Sequence, residues 1–156
     1  MKSTGDDLFD GGRSILIAGV RLDDRTADIF IDDSGTIRAA GEKIRKQFRG
    51  EADLVLDGSG MIALPGLVNT HTHAAMALLR GYADDMVLQD WLSQKIWPLE
   101  AHLTADDVYW GTRLACLEMI RSGTTAFNDM YFFMEDAARA AAEAGLRATL
   151  AYGFID

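Results

Sequence analysis

The stretch Leu64-Pro65-Gly66-Leu67-Val68-Asn69-Thr70-His71-Thr72-His73-Ala74-Ala75-Met76 constrains this chain more than any other. An apolar run broken by Pro65-Gly66 passes into Leu67 and Val68 and ends in two histidines one residue apart, the pattern of a strand that finishes at a site. Side chains alternate along a strand, so residues i and i+2 share a face at a spacing of roughly 6–7 Å. His71 and His73 can therefore converge on one ion, because imidazole nitrogens bind zinc at about 2.0–2.1 Å. Thr72 would point the other way. The bland alternative is two polar residues at a strand end, hydrogen-bonded or solvated; it loses ground because His102 is the only other histidine in the chain.

Composition narrows the partners. With 156 residues, 49% hydrophobic and 25% charged, the chain can bury a core and has the balance of a soluble globular protein. Its formal net charge of −9, with acids spread along the chain, repels phosphate backbones and argues against nucleic acid as a partner. Cys116 is the single cysteine, which excludes an intrachain disulfide and a cysteine metal cluster; its apolar helical surroundings predict a buried thiol. The N-terminus lacks a basic region followed by an apolar stretch, and no run approaches the ~20 apolar residues of a membrane span. A cytoplasmic protein without membrane association is expected.

In chain order, residues 1–12 are rich in Gly and Asp and predict a flexible tail. Strands follow at Ile15–Val20, Ala27–Ile31, Thr36–Ala40 and Ala52–Asp57, read as a meander, with Lys43–Arg49 as a basic, solvated interruption. After the histidines, Ala74–Arg80 turns at Gly81. Asp84 and Asp85 then open a helical pattern carrying Val87, Leu88, Trp91, Leu92 and Ile96, which Pro98 is expected to end. Thr104 reads as the N-cap of a helix through Trp110, Leu114, Leu117 and Ile120 to Gly123, with Glu118 exposed. Thr124–Met130, Glu135–Gly145 and Arg147–Phe154 give strand, helix, strand, hence parallel strands with a right-handed crossover. The site residues then sit at strand C-terminal ends, where a (β/α)₈ barrel keeps its chemistry. Asn128 and Asp129 could reach a pocket, or simply bond the next loop.

Pro65 to His73, with Leu79-Arg80-Gly81-Tyr82-Ala83-Asp84-Asp85 and Ile96-Trp97-Pro98-Leu99-Glu100-Ala101, resembles the amidohydrolase superfamily over about residues 13–156. Within it the likeness is to deaminases acting on 5'-methylthioadenosine, S-adenosylhomocysteine and 5'-deoxyadenosine. The resemblance implies an α/β fold: residues 13–64 as the N-terminal part of a small β-sandwich domain, and 65–156 as the first strands and helices of an incomplete (β/α)₈ TIM-type barrel. Such a barrel typically takes about 250 residues.

It further implies a hydrolytic deaminase with one divalent ion, zinc foremost and Fe²⁺, Mn²⁺ or Ni²⁺ as alternatives. The metal ligands would be His71 and His73, and Glu100 would accept hydrogen bonds from the ribose 2'- and 3'-hydroxyls. An ionised carboxylate is acceptor-only and can receive both hydroxyls, though a lone Glu can also be merely solvated. Trp91 would line the nucleoside pocket, or belong to the core. His102 has no role in the resembled pattern and reads as a surface residue. Tyr152 stands where several resembled enzymes carry an Arg; lacking a bidentate cation, it shifts the expected substrate away from S-adenosylhomocysteine. The third His, late Asp and ring-directed Glu of the resembled mechanism have no match in these residues, so no catalytic side chain beyond the metal ligands is identified.

The partner expected is a small-molecule nucleoside, with homo-oligomerisation left open. Two alternatives stand beside this reading: another amidohydrolase acting on a ring C–N or C–Cl bond, and a catalytically inactive piece.

Overall fold

The computed structural model describes residues 12–153. The expected tail therefore lies, Gly12 apart, outside the described residues, as does Phe154 of the last expected strand. The fold is mixed α/β and divides into two compact units, Met1–Pro65 and Gly66–Asp156.

Among the described residues, the first unit holds one sheet of five strands: β1 (Ile15–Leu22), β2 (Arg25–Ile31), β3 (Ile37–Gly41), β4 (Leu54–Asp57) and β5 (Ile62–Ala63). Alternation on β1 buries Leu16, Ala18 and Val20 on one face. β1, β2 and β3 form the expected antiparallel hairpins, but β4 does not continue the meander. It crosses back through the long connection after β3 and pairs parallel with β1, and β5 pairs parallel further along the same edge.

That connection holds the first helix, α1 (Arg45–Phe48), where a solvated basic face was expected. Phe48 stacks on Phe30 with ring centroids 4.3 Å apart. Asp28, only 6% exposed, accepts from the Gly19 N–H at 2.9 Å and from the Arg45 N–H and guanidinium at 3.1 Å each. Burial pushes the Asp28 carboxyl up, but these three donors outweigh it and hold it below the usual carboxylate value. Gly19 can donate there because it takes φ +76° at a bulge in the β1–β2 register, a conformation that favours glycine.

The second unit carries a parallel sheet in the order β6 (Leu67–Thr72), β7 (Thr124–Tyr131), β8 (Arg147–Tyr152). Between β6 and β7 come a 3₁₀ segment (Ala74–Leu79), α2 (Leu88–Trp91), a π-helical turn (Leu92–Ile96), α3 (Trp97–Glu100) and α4 (Ala105–Arg121). α5 (Met134–Glu143) joins β7 to β8. Thr104 and Asp107 close a reciprocal capping box, and Gly123 and Gly145 take positive φ after their helices.

Two further expectations need correction. Asp84 and Asp85 do not open a helix: α2 starts at Leu88, and Asp85 sits at φ +58°. Pro98 does not end one either. Its missing N–H falls in the first turn of α3, directly after the π turn, where no regular α-helical bond is required of it. Glu100 is therefore helical.

On α4, which runs through Trp110, Leu114, Leu117 and Ile120 as expected, these four residues are exposed. The buried stripe is Val108, Gly111, Thr112, Ala115, Cys116 and Met119. At the closest approach to the 3₁₀ segment a Cβ on Gly111 would lie 2.5 Å from the Ala75 carbonyl oxygen, so no side chain fits at that position. α4 and α5 cover the face of β7 that carries Phe127 and Tyr131, while Asn128 and Met130 on the other face are exposed.

Candidate active site

β6 ends at Thr72, and His73 is the first residue beyond it, at the N-cap of the 3₁₀ segment. The rings of His71 and His73 lie 5.2 Å apart, edge to face. His73 Nδ1 is 2.6 Å from the Met130 carbonyl oxygen at the end of β7. A carbonyl only accepts, so Nδ1 carries a proton, which leaves Nε2 as the ring nitrogen that can reach an ion. The ring is thus oriented as metal-binding histidines usually are, through the nitrogen that does not bind.

Beside it, Asp129 is 1% exposed. Its Oδ1 accepts from the Ala74 N–H at 3.1 Å, and its Oδ2 is buried without a partner. Burial pushes this carboxyl up, against the opposing pull of the Ala74 N–H and His73. Asp129 thus fastens the backbone just after His73, as the loop-bonding alternative had it, and Asn128 donates to the Thr70 carbonyl at 3.2 Å.

A cavity of about 360 Å³ opens next to these residues, within the usual size range for small-molecule sites. Its lining brings together His73, Trp91 and Glu100, three of the five residues singled out from the sequence. His71 does not line it. Tyr152 is set apart as well: its hydroxyl donates to the Glu135 carboxylate and accepts from the Met134 N–H at 3.2 Å. It joins Glu100, Trp97, Leu103, Phe132 and Phe133 around a neighbouring, largely apolar hollow. His102 is exposed, and Glu118 pairs with Arg80 through both carboxylate oxygens, at 3.0 and 2.7 Å.

Sequence reasoning missed Tyr131. It is 6% exposed at the last position of β7, and its hydroxyl donates to Glu100 Oε1 at 2.7 Å. Burial and the Glu100 carboxylate together push its phenol well above the ordinary value. The alternation Phe127, Asp129, Tyr131 marks the ring as inward-facing, but nothing in the sequence pairs it with a residue on α3.

His71 and His73 are the described side chains suited to a divalent ion. Two imidazoles fall short of the three protein ligands usual for catalytic zinc, and among the described residues no group of three or more His, Cys, Asp or Glu is placed to hold one. No helix among the described residues is long and apolar enough to cross a membrane.

The chain is 71% identical over 150 residues, 96% of its length, to 5'-deoxyadenosine deaminase of Methanoregula boonei, of which it covers 34%. It is 56% identical over 145 residues, 93% of its length, to 5-methylthioadenosine/S-adenosylhomocysteine deaminase of Syntrophomonas wolfei, of which it covers 31%. Among solved structures it matches an adenosine deaminase from Xanthomonas campestris with bound zinc, at a TM-score of 0.77 and 34% identity over 88% of this chain and 33% of that one. The chain thus spans about a third of the length of the curated relatives it matches. Residues 62–156 match the amidohydrolase family, and the chain belongs to that family.

Proposed function

We propose that this chain forms the metal- and sugar-binding portion of a hydrolytic deaminase that removes ammonia from 5'-modified adenosines and leaves the inosine-type product. Residues 13–64 would then be part of a small β-sandwich domain, and 65–156 the opening strands and helices of a (β/α)₈ barrel. The observation that carries the reading is the shared cavity: a histidine with an oriented ring and a free Nε2, an indole and a carboxylate line one space of nucleoside scale. The 71% identity to a 5'-deoxyadenosine deaminase supports the substrate class.

His71 and His73 would hold a divalent ion, with zinc favoured by the zinc-bound relative. Bound there, the ion would supply hydrolytic chemistry by lowering the pKa of a bound water towards about 7. The protein's share is orientation. Met130 fixes the tautomer of His73, and Asp129 fixes the backbone that follows it. Glu100, whose Oε2 has no hydrogen bond to the protein among the described residues, would accept the vicinal hydroxyls of ribose, and Trp91 would wall the base. Tyr152, in the apolar hollow beyond Glu100, would face the 5' substituent; with no cation of its own it favours 5'-deoxyadenosine or methylthioadenosine over a substrate bearing a carboxylate.

Metal content and ammonia release from 5'-deoxyadenosine, measured on the longer protein and its His71→Ala, His73→Ala variant, test the reading. Both should be lost in the variant. Undiminished turnover with stoichiometric metal would refute it.

A further inference from the structure

Glu100 has a flexible side chain at the end of the short helix α3, yet the proposed role requires its carboxylate to hold one attitude towards the sugar. The described contact that fixes it is Tyr131. The phenol has two side-chain torsions, and its ring is packed among Ala75, Val108, Met134 and Ala137. Its hydroxyl meets Glu100 Oε1 at 2.7 Å. An ionised carboxylate has about four acceptor positions; this bond takes one and leaves Oε2 for a ligand.

Tyr131 also follows Met130, whose carbonyl holds His73, and its ring centroid lies 6.1 Å from that of His73. Consecutive residues of one strand thus fix the two anchors. The metal side is held through a backbone carbonyl, and the sugar side through a phenol.

We propose that Tyr131 is a positioning residue which, by holding the Glu100 carboxylate towards the cavity, sets the enzyme's preference for substrates carrying both ribose hydroxyls. This rests on the reading of Glu100 as the ribose anchor. Burial and the neighbouring carboxylate keep the phenol protonated, hence a donor, through the physiological range.

Tyr131→Phe keeps the ring and removes the hydroxyl. In the longer, metal-loaded protein, kcat and KM are measured by ammonia release from 5'-deoxyadenosine and from 2',5'-dideoxyadenosine, which lacks the 2'-hydroxyl. The variant should lose about tenfold in kcat/KM on the first substrate, through KM, and stay within about twofold on the second, a narrowing of about five- to tenfold or about 1.0–1.4 kcal/mol. In a Glu100→Gln background, Tyr131→Phe should narrow the ratio no further, since it acts through that carboxylate. Metal content and a urea midpoint on each variant establish that it is folded.

Equal losses on both substrates, or an unchanged ratio, would overturn the proposal while a narrowed ratio in Glu100→Gln upheld the anchor. An unchanged ratio in Glu100→Gln would overturn the anchor and the proposal with it.

Discussion

Gly111→Ala adds one methyl group at the point where α4 runs closest to the segment that follows the histidines. The new Cβ would stand 2.5 Å from the Ala75 carbonyl oxygen and 2.9 Å from its Cα. An ordinary close C···O approach is about 3.3 Å, so helix and segment must part by about 0.8 Å. Both sides of the contact are backbone, so no rotamer change absorbs the strain. That places the cost in the upper part of the usual overpacking range, about 2–3 kcal/mol. Alanine returns about 1 kcal/mol through its better helix propensity. The net loss is about 1–2 kcal/mol, or about 0.5–1 M in a urea midpoint followed by far-ultraviolet circular dichroism with unchanged slope. A midpoint equal to or above that of the parent would refute the reasoning. It would mean that the 3₁₀ segment yields freely, and that crowding is not why α4 buries its small residues.

In the N-terminal unit, Asp28 makes stability depend on pH. Its folded pKa is depressed, so its contribution is complete above the unfolded value of about 3.9 and is lost as pH falls through the lower folded value. Asp28→Asn should cost about 1–3 kcal/mol at pH 7, with the two unfolding curves converging in acid; a constant gap down to pH 2 would contradict this. Cys116 is fully buried, and burial raises its thiol pKa. A thiol reagent at pH 7.5 should therefore react slowly with the folded chain and at once in urea. Immediate reaction of the native chain would show that α4 does not seal it.

Elements set by local signals were legible in the sequence. The N-cap at Thr104, the glycines closing α4 and α5, and the strand–helix–strand run from Thr124 were all expected where they occur. What failed depends on neighbours far along the chain. The sequence showed that α4 runs through Trp110, Leu114, Leu117 and Ile120 but not which face it buries, and the close approach of Ala75 to Gly111 comes from a segment more than thirty residues earlier. The parallel return of β4 needs the connection through α1, whose residues looked merely basic. At the site, His71 and His73 could be singled out by type and spacing, and Trp91 and Glu100 only through the family resemblance. The bonds that orient them could not, because Met130 and Tyr131 come from a strand some thirty or more residues further on.

The π-helical turn at Leu92–Ile96 works as a phase shifter. In an unbroken α-helix, residues nine positions apart, as Trp91 and Glu100 are, point in nearly opposite directions, about 180° around the axis. Closing i to i+5 admits one residue more than a regular turn and sets everything after it back by about 100°. Trp91 and Glu100 are left about 80° apart, close enough to line the same cavity. One supernumerary residue thus decides whether the indole and the carboxylate face each other or face away. Excising any single residue between Leu92 and Ile96 would keep every side chain of the cavity in the chain and swing the carboxylate out of it.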